Sequence, residues 1–158
     1  MPDLYEGRTA ETVEEARKIR EEIGTDELLR RAVAASAPYS ESGLVYAGFS
    51  LGAALAQNVA LADDKARGLL LLHGTSDIAD DASVDELPVQ FHVAEPDPFE
   101  SDDWQNAWYL RMRRAGADVE VFRYRGAGHL YTDPELPDYD AEAAEATWQT
   151  ALGFLETL

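Results

Sequence analysis

The amino-acid sequence predicts an α/β fold with a mainly parallel sheet of about four strands flanked by helices. Short apolar runs of strand length alternate with longer stretches of helical periodicity along the chain. This alternation is typical of parallel sheets that are covered by helices on both faces. The chain has 158 residues, of which 46% are hydrophobic, so we expect a single domain over residues 1–158 with a buried core.

Two helices are predicted before the first strand. Residues 12–15 (Thr-Val-Glu-Glu) have the form of a capping box, and Gly24 can close the helix that they open. A second helical stretch runs from about residue 26 to 37, and Pro38 with the turn at 40–43 ends it. The sheet is therefore expected to begin after this turn.

Four short apolar runs predict the strands, and three helices follow among them. The predicted strands cover 44–47, 66–72, 89–93 and 119–124. The predicted helices cover 51–61, 102–115 and 140–158. In open sheets of this class, active sites gather at the carboxyl ends of the strands, so the candidate residues should follow these runs.

The charge and composition exclude several kinds of partner and site. The chain has 31 acidic and 13 basic residues, a net charge of −18. Such a field repels nucleic acid and anionic membranes, so we expect neither as a partner. The acidic N-terminus does not resemble a signal peptide and the longest aliphatic run is 69–72, so we expect a cytoplasmic protein. The absence of cysteine excludes disulfides, thiolate metal sites and a cysteine nucleophile.

Ser50 is the candidate nucleophile. It lies in Gly48-Phe49-Ser50-Leu51-Gly52, between a predicted strand and a predicted helix, which is the context of a nucleophile elbow. Glycines are expected at 48 and 52 because side chains there would collide across the tight turn. The Leu51 N–H and the positive end of the helix would then lie beside an oxyanion. The alternative is a chance Gly-x-Ser-x-Gly in a loop.

A serine hydroxyl needs a base, and the chain contains three histidines. His92 lies within a predicted strand and His73 ends another, so structural roles are expected for both. His129 lies in the glycine loop that follows the last strand, at the edge of the sheet where Ser50 is expected. His129 is therefore the predicted general base.

Asp97 is the candidate that orients the imidazole. It follows the third strand, and Pro96 and Pro98 stiffen its loop. Glu95 is its rival but lies nearer the strand. The aspartates at 77, 80, 81, 102 and 103 are expected to be solvated loop or helix-cap residues. The chain order of Ser50, Asp97 and His129 is typical of α/β-hydrolases.

These residues carry a resemblance to the dienelactone hydrolase family of α/β-hydrolases. The matching stretches are PDLYEGRT (2–9), GFSLGAALAQNVA (48–60), FHVAEPDPFES (91–101) and YRGAGHLYTDP (124–134). The resemblance implies a hydrolase of small carboxylic esters or lactones that uses catalytic Ser50, Asp97 and His129, with neither a metal nor an organic cofactor. Many members have a cysteine where this chain has Ser50, which weakens the case for a dienelactone substrate.

The resemblance also predicts how the fold begins. In the family, early strands, a first helix and the loop with a second oxyanion donor precede the stretch that matches 2–9. We therefore expect a partial α/β-hydrolase fold, truncated at its N-terminus relative to the family, in which the strand at 44–47 is an exposed sheet edge. Such an edge can pair with a second copy in a homodimer. The missing loop would also remove one oxyanion donor, and the loss of one donor lowers kcat by roughly 10²–10³.

Arg8 and Tyr131 are the candidate substrate-binding residues. Arg8 follows the PDLY stretch and could pair with a substrate carboxylate, although an exposed loop arginine is the alternative. Two other functions remain open at this point. The first is a catalytically impaired remnant that binds or folds with a partner, and the second is acyl transfer or thioester cleavage by the same triad.

Overall fold

The computed structural model of the chain describes residues 1–158 except for the side chain of Val13. Its strands are β1 (Val45–Phe49), β2 (Gly68–Leu72), β3 (Pro88–Glu95) and β4 (Asp118–Arg125). Its α-helices are α1 (Val13–Ile23), α2 (Thr25–Ser36), α3 (Leu51–Leu61), α4 (Asp102–Arg114) and α5 (Ala141–Glu156). Within this described part of the chain, every helix is too short or too polar to cross a bilayer.

The four strands form one parallel sheet in the order β1-β2-β3-β4, as predicted. Phe49 pairs with Leu72 across β1 and β2, and Leu72 pairs with His92 across β2 and β3. The ladder continues beyond the strand ends. The Ser50 N–H donates to the Leu72 carbonyl at 2.8 Å, and the His73 N–H donates to the His92 carbonyl at 2.9 Å. The carboxyl ends of three strands are thereby fixed side by side.

The larger core lies between one face of the sheet and helices α2, α3 and α4. Alternate residues of β2 and β3 point into it because side chains along a strand alternate between the two faces. From α4, Trp108 and Met112 are buried in this core. The strand residues in the core include Leu69, Leu71, Val89, Phe91 and Val93.

Helix α5 covers the opposite face of the sheet. Ala151 and Phe154 pack there against Leu70 and Leu72 of β2. The prediction of helices on both faces of a parallel sheet is therefore confirmed. Strand β1 is at one edge and pairs with β2 alone among the described strands.

Candidate active site

Ser50 lies at the sharp turn between β1 and α3. Its backbone angles are φ 48° and ψ −115°, a conformation that costs about 1–3 kcal/mol for a residue with a side chain. Ser50 is the N-cap residue of α3, but in the described structure its hydroxyl does not cap the helix. Its Oγ instead lies 3.1 Å from Nε2 of His129. The strained turn therefore directs the hydroxyl toward the imidazole of His129.

Two glycines allow backbone segments to approach this turn closely. A Cβ at Gly48 would lie 2.2 Å from the Gly52 carbonyl oxygen, and a Cβ at Gly74 would lie 2.7 Å from the Ser50 carbonyl oxygen. Both distances are far below van der Waals contact. The expectation for Gly52 is wrong, since a Cβ there meets no atom within 4 Å. Gly52 matters because its backbone fills the space beside Gly48.

His129 connects Ser50 to Asp97. Its Nδ1 lies 2.8 Å from Oδ2 of Asp97, and its Nε2 faces the Ser50 hydroxyl. An ionised carboxylate only accepts hydrogen bonds, so Nδ1 carries the proton and Nε2 keeps its lone pair. The rival carboxylate, Glu95, forms an ion pair with Arg125 at 3.4 Å instead. The structure thus brings three of the predicted residues into one hydrogen-bonded line.

Asp97 is held by its own loop as well as by His129. Its Oδ1 accepts the Phe99 N–H at 2.8 Å and the Glu100 N–H at 3.1 Å. Burial disfavours the charged carboxylate, but the hydrogen bonds from His129 and from these two N–H groups outweigh it and lower the pKa of Asp97. The buried side chain is therefore a fixed negative charge at neutral pH, directed at the imidazole.

The start of α3 supplies unpaired donors beside Ser50. The first hydrogen bond within the helix runs from the Ala54 N–H to the Ser50 carbonyl at 3.1 Å. The N–H groups of Leu51, Gly52 and Ala53 therefore have no intrahelical acceptor, as in the first turn of any α-helix. With the positive end of the helix dipole, the Leu51 N–H is placed to stabilise negative charge next to Ser50. Its role as an oxyanion donor stays a prediction.

The other two histidines are buried. Nε2 of His73 lies 2.7 Å from Thr132 Oγ1, and its ring centroid is 6.2 Å from that of His129. Burial, followed by the proximity of His129, lowers the pKa of His73 to about 4. His92 is hydrogen-bonded to Gln90 and Tyr124, and burial lowers its pKa to about 4 as well. Both imidazoles are therefore neutral at physiological pH and add no positive charge near Ser50 and His129.

The two predicted substrate-binding residues lie elsewhere. Arg8 forms an exposed ion pair with Glu22 of α1, and the hydrogen bonds described for it do not link it to Ser50 or His129. Its substrate role stays a prediction. Tyr131 is 0% exposed, and its hydroxyl lies 2.8 Å from Thr147 Oγ1. Its ring packs against that of His73, with the centroids 4.7 Å apart, so the side chain predicted to bind substrate is instead placed as packing support in this structure.

Sequence reasoning missed two residues of this site. Gly74 lies just beyond β2, after His73, and that position at the carboxyl end of the neighbouring strand was the signal that it would approach Ser50. Phe99 comes two residues after Asp97, and its ring centroid lies 4.6 Å from that of His129. An exposed phenylalanine in a loop carries no comparable signal in the sequence.

The chain is similar to a known protein family and to a curated protein. The model of the dienelactone hydrolase family matches residues 1–158. A curated protein from Bradyrhizobium sp, named "Probable 2-oxo-3-(5-oxofuran-2-ylidene)propanoate lactonase", is 31% identical over 68 residues. That match covers 43% of this chain and 27% of the lactonase.

Solved structures share the fold. A dienelactone hydrolase-like promiscuous phosphotriesterase from metagenomic libraries superposes with a TM-score of 0.74 at 25% identity, over 89% of this chain and 66% of that one. A candidate dienelactone hydrolase from Klebsiella pneumoniae subsp. pneumoniae superposes with a TM-score of 0.78 at 17% identity, over 99% of this chain and 74% of that one. The chain thus spans less than two thirds of the lactonase and of the phosphotriesterase.

Proposed function

The chain belongs to the dienelactone hydrolase family, and we propose that it hydrolyses carboxylic esters or lactones through a serine nucleophile. Ser50 is the nucleophile, His129 is the general base and acid, and Asp97 orients His129. The observation that carries the proposal is the hydrogen-bonded line from Asp97 Oδ2 to His129 Nδ1 (2.8 Å) and from His129 Nε2 to Ser50 Oγ (3.1 Å). The likeness to the named lactonase favours a lactone or a related ester as the substrate class.

The first half of the reaction forms an acyl-enzyme. Ser50 Oγ attacks the substrate carbonyl carbon while His129 Nε2 accepts the hydroxyl proton. The carbonyl oxygen becomes an oxyanion, which the Leu51 N–H and the N-terminus of α3 stabilise. When the bond to the alcohol oxygen breaks, His129 donates its proton to that oxygen. Asp97 stabilises the imidazolium that exists between these two proton transfers.

The second half releases the acid. A water molecule gives a proton to His129 Nε2 and attacks the acyl carbon, forming a second oxyanion at the same place. Collapse of this intermediate breaks the bond to Ser50 Oγ, which recovers its proton from His129. One water is consumed for each ester, and an alcohol and a carboxylic acid are produced. For a lactone, both groups stay in one hydroxy-acid product.

The decisive experiment combines labelling and turnover. We expect a fluorophosphonate probe to label the parent protein stoichiometrically at Ser50 and to leave Ser50→Ala unlabelled. Hydrolysis of an activated ester should fall by at least about 10³ in Ser50→Ala, because the covalent route is lost. Ser83→Ala is the matched control, since Ser83 is exposed in a loop away from the elbow. It should retain both labelling and turnover.

The same experiment separates the other two functions. A folded parent that takes up no probe and hydrolyses esters no faster than Ser50→Ala contradicts the proposal, and a catalytically impaired binding domain then replaces it. Acyl transfer is tested by adding a competing alcohol and identifying products by mass spectrometry. Transfer of the acyl group to that alcohol in preference to water replaces hydrolysis with a transferase reaction.

A further inference from the structure

Phe99 is an exposed aromatic residue that lies against the proposed catalytic base. Its side chain is 60% exposed, and its ring is tilted by 56° against the ring of His129. His129 itself is only 8% exposed. Phe99 therefore covers part of His129 with one side of its ring while the rest of its apolar surface faces outward beside the reacting groups.

Hydrogen bonds fix the backbone of Phe99 despite this exposure. Its N–H donates to Oδ1 of Asp97, the carboxylate that orients His129. The next residue, Glu100, also donates its N–H to Asp97, and its buried carboxylate accepts the Thr75 N–H at 3.0 Å and the Thr75 hydroxyl at 2.6 Å. The segment that carries Phe99 is therefore held by hydrogen bonds to Asp97 and to Thr75. Its ring is positioned relative to His129 before a substrate arrives.

The chemistry of the proposed reaction determines which part of a substrate meets this ring. His129 Nε2 must reach the departing alcohol oxygen to protonate it, so the alcohol part of the ester lies beside the imidazole. The carbonyl oxygen lies instead toward the Leu51 N–H at the start of α3. Because Phe99 packs on the imidazole, a group that is bound beside the imidazole can reach its ring. An aromatic ring there favours apolar and aromatic groups.

We propose that Phe99 determines specificity for the alcohol part of the substrate and favours esters of aromatic or apolar alcohols. The inference rests on the proposed hydrolase function. Because the alcohol leaves during acylation, Phe99 acts on that half of the reaction alone. Esters with the same acyl group form the same acyl-enzyme, so its hydrolysis does not depend on Phe99.

The test compares benzyl acetate with methyl acetate, which share an acyl group and differ in the alcohol. In Phe99→Ala, the ratio of kcat/KM for benzyl acetate to that for methyl acetate should fall about tenfold, as expected for losing one aromatic contact. Phe99→Trp should preserve the ratio. Leu110→Ala is the matched control because Leu110 is an exposed apolar residue of α4 that is 65% exposed.

Two further measurements separate specificity from a structural role. In Phe99→Ala, the kcat/KM for methyl acetate should fall by less than the kcat/KM for benzyl acetate, because methanol is too small to use the aromatic contact. The ratio between benzyl butyrate and benzyl acetate should be unchanged, because it reports the acyl side.

Three results overturn the inference. The first is a benzyl-to-methyl ratio that Phe99→Ala leaves unchanged, and the second is an equal loss for both esters, which indicates support of His129 alone. The third is a change confined to the butyrate-to-acetate ratio. A parent without Ser50-dependent turnover of any ester gives a different pattern, which refutes the proposed function and this inference with it.

Discussion

Asp97 and His129 meet through a hydrogen bond of 2.8 Å between Oδ2 and Nδ1, although the two residues lie on loops after different strands. The loops come together because β3 and β4 are parallel neighbours whose pairing runs to Glu95 and Arg125 at their carboxyl ends. The Asp97 carboxylate also accepts hydrogen bonds from the backbone N–H groups of Phe99 and Glu100, so its orientation does not depend on His129 alone. This arrangement gives Asp97 one orientation and His129 one tautomer.

Asp97→Asn should lower kcat for ester hydrolysis by about 10⁴ while the fold is retained, because an amide can hold His129 in the wrong tautomer. Glu95→Gln is the matched control, since Glu95 is the last residue of β3, the strand that leads to Asp97, and forms an ion pair with Arg125. It should change kcat by less than about twofold, as for a surface ion pair. Steady-state kinetics with circular dichroism on both variants checks this, and equal losses would remove Asp97 from the triad.

The sequence allowed the fold and the central line of the site to be predicted because both follow from local patterns. Each strand and helix was found at nearly its predicted position, and the glycine elbow located Ser50 at a strand end. The sequence favoured Asp97 over Glu95 because Glu95 lies nearer the predicted strand, and the observed positions agree with that reason. Glu95 is still within β3 and reaches Arg125 of β4, whereas Asp97 lies in the loop beyond it.

The errors concern contacts between distant parts of the chain. The position of Tyr131 depends on Thr147 of α5, which is 16 residues away and forms a buried hydrogen bond with it. A tyrosine in an active-site loop can face a pocket or pack inward with its hydroxyl paired, and the local sequence is the same in both cases. Gly52 was misread for a similar reason, since the motif does not show which glycine lacks room for a side chain.

Gly48→Ala and Gly52→Ala should have opposite effects on stability. The new methyl at 48 would lie 2.2 Å from the Gly52 carbonyl oxygen, so α3 must shift, and overpacking of this kind typically costs about 1–3 kcal/mol. The methyl at 52 has open space and replaces a helical glycine, so the free energy of unfolding should rise by up to about 1 kcal/mol. Urea denaturation of both variants measures the difference. Equal destabilisation would show that the turn cannot accept a side chain at either position.

Stability should decrease as the pH falls from about 6.5 to about 4, because burial lowers the pKa of both His73 and His92 to about 4. Unfolded histidines titrate near 6.5, so in this window the unfolded chain binds protons that the folded chain does not. Each such proton lowers the free energy of unfolding by about 1.4 kcal/mol per pH unit, and the loss levels off below the folded pKa.

His92→Gln tests the contribution of one of these two histidines. His92 is a buried residue of β3 that is hydrogen-bonded to Gln90 and Tyr124, so the variant should be less stable near neutral pH. Its free energy of unfolding should nevertheless depend less steeply on pH, by up to one proton, between about pH 6.5 and 4. Denaturation curves at several pH values measure both effects. A slope identical to that of the parent would mean that His92 is protonated in the folded state as readily as in the unfolded state.

Among the described strands β1 pairs with β2 alone, and we propose that its other edge pairs with a second copy of the chain. Four exposed apolar side chains, Phe49 of β1 and Trp148, Leu152 and Leu155 of α5, form what we call the apolar edge surface; the Phe49 and Trp148 rings lie 6.1 Å apart. An unpaired strand edge beside such a surface favours pairing with a second copy. The net charge of −18 opposes this, so we expect sedimentation velocity to show a shift from monomer toward dimer between about 50 and 500 mM NaCl, as salt screens the repulsion.

Leu152→Lys distinguishes apolar contact from charge in this association. The substitution makes the chain less negative, so charge alone would increase dimerisation, whereas loss of the apolar edge surface should decrease it. Leu110→Lys makes the same charge change on α4, where Leu110 is also exposed, and should leave or strengthen the dimer. A parent that remains monomeric at every salt concentration, or equal behaviour of the two lysine variants, would contradict pairing through the β1 edge and its apolar neighbours.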